Sequence, residues 1–433
     1  MDLLTQISAN TSAGPAYEAH DESVRGPDKA LVRLIAFYLP QFHAIPENDQ
    51  WWEEGFTEWT NVTKAVPRFA GHYQPMLPGA LGFYDASKPQ TLAQQAALAK
   101  QYGIEGFCFH HYWLGGRRIL ERPLETLLVH PEIDLPFCVN WANHNWTRRW
   151  DGKEADMLLE QVYSPEDDIA FAKSLEPLFR DPRYIRIDGR PLLMIYKAGD
   201  LPDAAATVAR WRDHFRIRGI GEVFIAAVQT QGSQEASAYG MDAGVGFPPF
   251  WTCYDIPMRN DLKLFDRKFT GAVRDYQALA DASIAAYGRD QRVFPGVVPS
   301  WDNEARTPGR GTIFSGSTPA AYGRWLKAAC LASMKTFSGG ERLVFINAWN
   351  EWAEGAYLEP DRHFGHAYLA ETARVLNGLP NAVSDSIAAP TAESTAAGTA
   401  KTDITRRMRR LARKSVNVIA DAMEEIAWKL RGR

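Results

Sequence analysis

Short apolar runs alternate with longer amphipathic stretches along most of this chain. The apolar runs lack regular polar alternation, which is typical of parallel strands buried on both faces. They occupy residues 32–39, 106–111, 136–141, 192–196, 223–229, 243–247, 294–300 and 343–349. Helical patterns occupy residues 91–102, 165–179, 204–218, 272–287 and 319–335. Strands nearly all separated by helices predict an α/β fold, specifically a (β/α)8 TIM barrel with loop insertions.

An open, doubly wound parallel sheet is the alternative arrangement. Such sheets bind nucleotides on a glycine-rich loop where the strand order reverses. The sequence contains neither a GxGxxG loop nor a Walker-type loop. The barrel is therefore favoured, and no nucleotide or other cofactor is expected.

Three further segments accompany the barrel, which is expected to span residues 31–380. Residues 1–30 are polar and predict a loosely ordered lead-in, and the composition of residues 381–400 predicts a flexible linker. Residues 401–433 predict a basic amphipathic helix whose apolar positions recur at intervals of four and three residues. Those positions are Met408, Ala412, Val416, Ile419, Met423, Ile426 and Leu430.

Charge is distributed unevenly between these segments. The chain has a net charge of −4, but residues 401–433 carry ten Lys or Arg against four Asp or Glu, which leaves −10 on residues 1–400. A basic apolar stripe suits an anionic membrane surface or a partner helix. Because Trp428 is the only aromatic residue in the tail, nucleic-acid binding is not expected.

The start of the chain has no basic segment followed by a long apolar run, so no secretory leader is expected. No apolar run reaches the roughly 18 residues needed to span a bilayer. The four cysteines show no CxxC spacing, and Cys108 and Cys138 lie in apolar runs that predict buried, reduced thiols. These features favour a cytoplasmic location, with the tail contacting the inner face of the plasma membrane.

The strongest chemical signal follows the last predicted strand. Glu351 and Glu354 lie three positions apart just beyond it, where parallel α/β folds carry their chemistry. An i, i+3 pair on a coiled segment has Cβ atoms about 5–6 Å apart, and retaining glycosidases use carboxyls roughly 5–5.5 Å apart. A solvated acidic turn is the alternative, but Trp349 and Trp352 favour a sugar site because indoles pack on sugar rings.

Neutral hydrogen-bonding and aromatic side chains follow the other predicted strands. Amides, acids and flat rings together suit sugar hydroxyls and C–H faces. No HxxxH or HxH unit predicts a metal, and no GxSxG elbow predicts a serine nucleophile. The candidate substrate-binding residues are Tyr38, His43, Trp59, His110, His111, Tyr112, Asn140, Asn143, Asn145, Trp146, Lys197, Gln229, Trp301, Asp302, Asn303, Trp349, Asn350 and Glu359.

Several motifs between residues 31 and 378 resemble the WbsX-type proteins of bacterial polysaccharide clusters, which carry a glycoside hydrolase family 99-like domain. The motifs are Tyr38-Leu-Pro-Gln-Phe-His, Trp51-Trp-Glu-Glu-Gly-Phe-Thr-Glu-Trp-Thr-Asn, Gly106-Phe-Cys-Phe-His-His-Tyr-Trp, Asn140-Trp-Ala-Asn-His-Asn-Trp and Asn350-Glu-Trp-Ala-Glu-Gly. Family 99 contains endo-acting α-mannosidases and α-mannanases on a (β/α)8 barrel. The resemblance therefore implies the same fold and an oligo- or polysaccharide substrate.

The resemblance also implies a mechanism for the last motif. In the family, the first glutamate, here Glu351, removes a proton from the sugar 2-hydroxyl, which attacks C1 to give a 1,2-anhydro sugar. The second, here Glu354, protonates the leaving oxygen and then activates water, so configuration is retained. The loops that would select mannose are not recognisable, so the sugar does not carry over.

Three functions are compatible with this resemblance. Hydrolysis or transglycosylation is favoured because the acid pair is complete. A glycosyltransferase in O-antigen, lipopolysaccharide or capsule biosynthesis is the alternative, which would suit a cytoplasmic location and the basic tail. A non-catalytic glycan-binding barrel is the third, and the presence of both glutamates argues against it.

Overall fold

Eight parallel strands form the centre of the computed structural model, which describes residues 2–148, 153–230, 233–250, 255–288 and 292–381. The strands are β1 (Arg33–Tyr38), β2 (Gly106–Leu114), β3 (Phe137–Trp141), β4 (Arg190–Ile195), β5 (Phe224–Gln229), β6 (Ala243–Gly246), β7 (Val293–Phe294 continued by Gly296–Val297) and β8 (Leu343–Ile346). Each strand pairs in parallel with the next, and β8 pairs with β1. The predicted (β/α)8 barrel is therefore confirmed.

Strand β7 is split at Pro295, which has no N–H to donate to a neighbouring strand. Its first half pairs with β6 and its second half pairs with β8. A Cβ atom at Gly296 would lie 1.9 Å from the carbonyl oxygen of Gly246, so only glycine allows this approach. The strand ends at Val297, three positions before the end of the predicted run.

The described α-helices lie before the first strand, between the strands, in the loop insertions and after the last strand. They are α1 (Leu3–Asn10), α2 (Pro46–Trp51), α3 (Glu58–Lys64), α4 (Pro89–Gln101), α5 (Arg122–Val129), α6 (Pro165–Arg180), α7 (Ala204–Ile217), α8 (Tyr276–Ala286), α9 (Pro319–Thr336) and α10 (Ala367–Asn377). Short 3-10 turns occupy Ala198–Asp200, Ala236–Tyr239, Asn303–Ala305, Gly339–Glu341 and Trp352–Glu354.

Short strands decorate the barrel ends. They are Arg117–Ile119, Trp146–Arg148, Lys153–Leu159, Arg186–Ile187, Ala272–Asp275, Trp301–Asp302, Thr312–Ser315, Asn350–Glu351 and Ala356–Tyr357. Most of them extend the loops at the carboxyl ends of barrel strands, where a site is expected.

Helices α6 and α9 begin with the same capping arrangement. The hydroxyls of Ser164 and Thr318 accept the backbone N–H groups of Asp167 and Ala321 at 3.1 and 3.2 Å, and a proline occupies the first turn of each helix. Such caps satisfy donors that a helix leaves unpaired at its start. The local sequence therefore sets where these two helices begin.

Both faces of the barrel strands are buried, which explains their nearly continuous apolar sequences. Phe37 on β1 points into the barrel, where its ring centroid lies 4.9 Å from Phe247 and 5.9 Å from Phe345. Tyr38 points the other way, and its hydroxyl donates to Oε1 of Gln95 on α4 at 3.0 Å. The alternation along one strand thus separates the barrel interior from the helix layer.

The prediction of a helix over residues 272–287 is wrong at its start. Ala272–Asp275 is a strand that pairs in parallel with Thr312–Ser315. Asp275 then caps α8, since its Oδ1 accepts the N–H of Ala278 at 2.8 Å. An aspartate three positions before a helical N–H is a start signal, and it separates the two elements.

The N-terminal segment differs from the loosely ordered lead-in that its composition predicts. It contains α1, and Nδ2 of Asn10 donates to the carbonyls of His72 and Gln74 at 2.9 and 2.8 Å. Oε1 of Gln6 accepts the N–H of Gly71 at 2.9 Å. These buried amides fix the segment to the insertion that follows β1.

Three cysteines, Cys108, Cys138 and Cys330, are buried free thiols, whereas Cys253 lies outside the described residues. In the described part of the chain, no helix has both the length and the apolar character to cross a membrane. The basic helix predicted at residues 401–433, and the linker beyond residue 381, fall outside the described ranges.

Candidate active site

The acidic motif leaves β8 as a tight loop. Asn350–Glu351 pairs antiparallel with Ala356–Tyr357, and the 3-10 turn Trp352–Glu354 connects them. Gly355 ends the turn with a φ of 59°, and a Cβ atom there would lie 3.0 Å from backbone atoms of Asp302. Glycine is therefore needed for both its backbone conformation and its close packing.

One arginine joins the two glutamates of this motif. Arg306, in the loop after β7, donates from Nη1 to Oε1 of Glu354 at 2.5 Å and from Nη2 to Oε2 of Glu351 at 2.9 Å. Its Nε donates to Oε2 of Glu58, at the start of α3, at 3.1 Å. Glu58, Arg306, Glu351 and Glu354 form a group that we call the acid cluster. Loops following β1, β7 and β8 thus converge on it.

Burial dominates the electrostatics of the acid cluster. It raises the pKa of Glu351 to about 8, against the opposing effect of Arg306 and with Glu354 and Glu58 adding to the rise. Burial also disfavours the charge of Arg306, but the three carboxylates outweigh it and raise the pKa of the guanidinium. With three acids around one base, a proton kept on Glu351 reduces the cost of buried excess charge.

The turn that presents Arg306 is anchored on both sides. Asp302 accepts the N–H of Glu304 on Oδ1 at 3.0 Å and contacts Nε2 of His72 through Oδ2 at 2.7 Å. Because Nδ1 of His72 accepts the N–H of Arg68, Nε2 carries the proton donated to Asp302. Nε of Arg68 also donates to Oε1 of Glu304 at 2.6 Å. Asp302 therefore supports the loop that carries Arg306.

Asn350 locks the acidic motif to the loop after β1. Its Oδ1 accepts the N–H of Leu39 at 2.7 Å, and its Nδ2 donates to the Leu39 carbonyl at 3.0 Å and to the Tyr84 hydroxyl at 3.1 Å. Asn350 is completely buried. Its amide is therefore occupied in positioning its neighbour Glu351.

Glu359 also stabilises the acidic motif, through buried hydrogen bonds. Its Oε2 accepts from the Tyr84 hydroxyl at 2.9 Å and from Nε1 of Trp352 at 2.7 Å, and its Oε1 accepts from Nε2 of Gln95 at 2.7 Å. Burial raises the pKa of Glu359 to about 7, and these hydrogen bonds oppose the rise. Tyr38 also donates a hydrogen bond to Gln95. Tyr38 and Glu359, both predicted to bind sugar, therefore belong to one buried network that supports the acidic motif.

Three aromatic rings pack against one another in a row near the acid cluster. The hydroxyl of Tyr112 accepts from Nε2 of Gln41 at 3.2 Å, and its ring lies 5.1 Å from that of Trp146, which lies 5.9 Å from Trp51. Burial raises the pKa of Tyr112, and the charge of Glu351 adds to this rise. Tyr112 therefore lies within electrostatic reach of Glu351.

His110 also faces this region. Burial lowers the pKa of His110 to about 3, and the charges of His144 and Arg306 contribute, so its ring is neutral at physiological pH. Nδ2 of Asn140 lies 3.3 Å from Nδ1 of His110, whose ring stacks on Phe37 inside the barrel. These neutral polar groups suit uncharged hydroxyls better than a charged ligand.

The adjacent residue, His111, lies on the other face of β2. Its ring contacts Phe171 on α6, with the centroids 6.1 Å apart, and it is buried. Since side chains alternate along a strand, His110 and His111 cannot both face the barrel interior. The expectation that His111 shares the pocket is therefore corrected.

Other predicted polar residues anchor loops through their own side chains. Asn143 accepts the N–H of Lys197 at 2.7 Å and donates to its carbonyl at 2.8 Å, which joins the loops after β3 and β4. Oδ1 of Asn303 accepts the N–H of Thr312 at 2.7 Å, and Oδ1 of Asn145 accepts a backbone N–H at 2.7 Å. These amides shape the mouth of the barrel through backbone contacts.

Three predicted tryptophans are part of the packed core around the site. Nε1 of Trp59 donates to a backbone carbonyl at 2.8 Å, and its ring lies 5.7 Å from Trp352. Trp301 and Trp349 are almost fully buried against phenylalanine rings at 4.9 and 4.7 Å. They stabilise the loops that carry the acid cluster.

His43, in the loop after β1, and Gln229, the last residue of β5, are buried. Burial lowers the pKa of His43, against the opposing effect of a backbone contact at Pro40. Nε2 of Gln229 donates to the Ala227 carbonyl at 3.3 Å. Neither contact connects these two residues to the glutamates.

Arg306 is the member of the acid cluster that no sequence motif contains, whereas Glu58 lies within the motif that begins at Trp51 but was given no role. Arg306 lies 45 positions from Glu351 and 248 from Glu58, in a loop with no local signal of its own. A buried charge needs a partner of opposite charge, but sequence spacing does not reveal which one. In the described ranges, no group of three or more His, Cys, Asp or Glu side chains could hold a metal ion.

Comparisons with solved structures agree with the barrel. A glycoside hydrolase-like protein is 16% identical, with a TM-score of 0.53, and the match covers 85% of this chain and 98% of that one. A GH99 endo-alpha-mannosidase from Bacteroides thetaiotaomicron is 15% identical with a TM-score of 0.49, covering 80% and 96%. At such identity, the first of these likenesses shows a shared fold.

Sequence comparison adds a family. The chain is 44% identical over 367 residues to the uncharacterized protein WxcX of Xanthomonas campestris pv. campestris (strain ATCC 33913), covering 84% of this chain and 52% of WxcX. The chain thus spans about half the length of the curated relatives it matches. The family model described as glycosyltransferase WbsX matches residues 34–372. This match spans the whole barrel, and the chain belongs to the WbsX glycosyltransferase family.

Proposed function

We propose that this protein is a carbohydrate-active enzyme that cleaves or transfers glycosidic bonds of a bacterial polysaccharide. The observation that carries the proposal is the pair Glu351 and Glu354, held by one guanidinium at the carboxyl ends of the barrel strands. Paired carboxyls in this position are the machinery of glycosidic bond cleavage.

In the proposed reaction, Glu351 accepts the proton of the sugar 2-hydroxyl while O2 attacks C1. The bond between C1 and the leaving oxygen breaks, and Glu354 gives its proton to that oxygen. Glu354 then takes a proton from water, which attacks C1 and opens the 1,2-anhydro ring, and Glu351 returns its proton to O2. Two inversions at C1 give net retention. A raised pKa makes Glu351 a stronger base once it is ionised.

The surroundings of the acid cluster support a sugar ligand. The aromatic row Tyr112, Trp146 and Trp51 offers flat faces, and Gln41 and the neutral His110 offer hydrogen bonds. Several aromatic rings near the glutamates suit a substrate of more than one sugar unit. We therefore favour endo action on an oligo- or polysaccharide.

Transfer from a sugar donor to a sugar acceptor is the second candidate, and the description of the family model favours it. The same two glutamates would serve, with an acceptor hydroxyl in place of water. In lipopolysaccharide or capsule synthesis, such an enzyme would work in the cytoplasm at the inner membrane face.

The experiment that tests both candidates uses the surface polysaccharide of the producing organism and a panel of nucleotide sugars. Mass spectrometry should detect shortened glycans from the polysaccharide, and Glu351→Gln should abolish them. Products from nucleotide sugars alone would favour the transferase. Glycan binding without any product would instead indicate a non-catalytic barrel.

A modified substrate tests the proposed role of the 2-hydroxyl. A 2-deoxy analogue of the cleaved substrate should bind but not react, because it lacks the attacking oxygen. Efficient turnover of this analogue with retention would indicate that a glutamate attacks C1 directly.

We further propose that residues 401–433 hold the enzyme to an anionic membrane surface or a partner helix. Each Lys or Arg near such a surface contributes about 1 kcal/mol, so a net charge of +6 suffices for reversible attachment. Removing residues 381–433 should abolish binding to phosphatidylserine vesicles and self-association, and should leave activity on a soluble glycan unchanged. An inactive truncated protein would mean that the tail belongs to the catalytic unit.

A further inference from the structure

The acid cluster contains more acids than the proposed reaction uses. Glu58 lies on α3, outside the last strand and the motif that follows it, and its fully buried carboxylate bonds Arg306 at 3.1 Å. It begins α3, where Thr57 caps the first turn through a contact with the N–H of Trp59 at 3.3 Å. A buried carboxylate placed in this way needs a physical role.

Glu58 holds one edge of the Arg306 guanidinium. Nε and Nη2 both lie 3.1 Å from Oε2 of Glu58, while Nη2 also donates to Glu351 and Nη1 donates to Glu354. A guanidinium is planar and rigid, so fixing one edge fixes the direction of the others. Glu58 therefore orients the edge of Arg306 that holds the two glutamates.

The charge of the cluster also supports a role for Glu58. An acid–base pair acts on a glycosidic bond when it carries one proton, with one carboxyl neutral and the other ionised. Without Arg306, two buried carboxylates side by side would hold their protons to higher pH, and without Glu58 they would release them at lower pH. The opposite effects of Arg306 and Glu58 therefore place the pKa values of Glu351 and Glu354 between these two limits.

We propose, on the basis of the function proposed above, that Glu58 and Arg306 form a positioning pair that keeps a single proton shared between Glu351 and Glu354. The one-proton state has two arrangements, with the proton on either glutamate, and Arg306 contacts both. The proposed reaction starts from the arrangement with the proton on Glu354. Glu58 and Arg306 thereby set the pH range of activity by acting on Glu351 and Glu354.

Other titratable groups face the cluster and must be distinguished from this pair. Tyr112 on β2 lies within the field of Glu351, and His110 on the same strand lies within the field of Arg306. Burial keeps both neutral at physiological pH, because it raises the pKa of Tyr112 and lowers that of His110 to about 3. Neither of these two described neighbours therefore changes charge near neutral pH.

The test measures the pH profile of kcat/KM on the active glycan for three variants. Arg306→Met removes the positive charge and should move the ascending limb to higher pH by about 1–3 units, whereas Glu58→Gln should move it to lower pH. Arg306→Lys keeps the charge but cannot contact Glu351 and Glu354 at the same time as Glu58. We therefore expect kcat to fall while the ascending limb of the pH profile stays near its wild-type position. Arg183→Lys is the matched control, because Arg183 is equally buried beside Asp181, and its limb should not move.

An activity-independent measurement separates this proposal from the proposed function. Infrared difference spectroscopy should follow a buried carboxyl that titrates near pH 8 in the wild-type protein and is absent from Glu351→Gln. Its midpoint should rise in Arg306→Met and fall in Glu58→Gln. If no glycan is turned over but these midpoints move, the proposed function fails and the positioning pair stands.

Midpoints that stay in place in folded Glu58→Gln and Arg306→Met proteins would overturn the positioning pair. Folding is checked by circular dichroism and thermal unfolding. If Arg306→Met does not fold, Glu58→Gln decides the question alone, since its amide oxygen can still accept from Nε of Arg306.

Discussion

Two buried glutamates of the same loop, Glu351 and Glu359, have different surroundings. The hydrogen bonds that Glu359 accepts within the described part of the chain come from neutral donors, Tyr84, Gln95 and Trp352, and occupy both of its oxygens. Glu351 meets charged groups and bonds Arg306 through Oε2. Burial raises the pKa of both carboxyls, to about 7 and about 8. A raised pKa therefore does not distinguish a chemical role from a supporting one, whereas the charge of the neighbours does.

The largest expected effect is a loss of activity when a glutamate of the acid cluster is replaced. Glu354→Gln should lower kcat by about 10²–10⁴-fold, the usual contribution of a general acid, with little change in the thermal midpoint. Steady-state kinetics on the cleaved glycan would measure it. Glu222→Gln, at an exposed ion pair, is the control. Activity within a few-fold of wild type would remove Glu354 from the mechanism.

On the supporting side, Glu359→Gln should act on stability instead. The new amide NH₂ would face a donor, which costs about 1–3 kcal/mol of unfolding free energy. Urea denaturation would measure the loss, and kcat of the folded protein should stay within a few-fold. A loss of kcat as large as that of Glu354→Gln, in a protein of unchanged stability, would show that Glu359 has a chemical role and not a supporting one.

The pH dependence of stability sharpens the comparison further. A carboxyl whose pKa is raised by folding stabilises the protein fully below its ordinary value of 4.5, and this contribution is lost as the pH rises through the folded value. The loss attributable to Glu359 should end near pH 7, and that of Glu351 near pH 8. Unfolding midpoints of Glu359→Gln and Glu351→Gln, compared with wild type over this range, would separate the two. Identical curves would contradict the assignment.

The smallest effect is expected where the two environments meet. The hydroxyl of Tyr84 donates to Glu359 and accepts from Asn350, the neighbour of Glu351. Tyr84→Phe should cost about 0.5–1.5 kcal/mol per lost hydrogen bond and change kcat only slightly. Calorimetry and kinetics on one preparation would test this. A kcat that falls without loss of stability would show that Tyr84 takes part in the chemistry.

Most of the barrel was predictable because its strands are nearly continuous apolar runs. The bounds of β3 and β5 differ from the prediction by one residue at a single end. The strand Ala272–Asp275 was merged with α8 because its partner, Thr312–Ser315, lies in a distant loop. Short strands of this kind are determined by pairing, which periodicity along the chain does not report.

The candidate site was predictable only in part. The sequence located Glu351 and Glu354 because their motif follows a strand, but it missed the roles of Glu58 and Arg306, which depend on long-range contacts. It also assigned His111 to the pocket, although the alternation that directs His110 inward directs His111 outward. The alternation of side chains along β2 would have excluded His111 from the pocket. The role of Arg306, in contrast, could be recognised only from the three-dimensional structure.

The contact between Asn350 and Leu39 joins residues 311 positions apart in the chain. During synthesis, β1 leaves the ribosome long before β8 and has an unpaired edge until the last strand emerges. The nascent protein should thus be unable to act on glycan, and should depend on chaperone protection, until nearly the whole barrel has been translated. Stalled nascent chains that end before residue 343 should be protease-sensitive around residue 39, and resistance there would contradict this order of assembly.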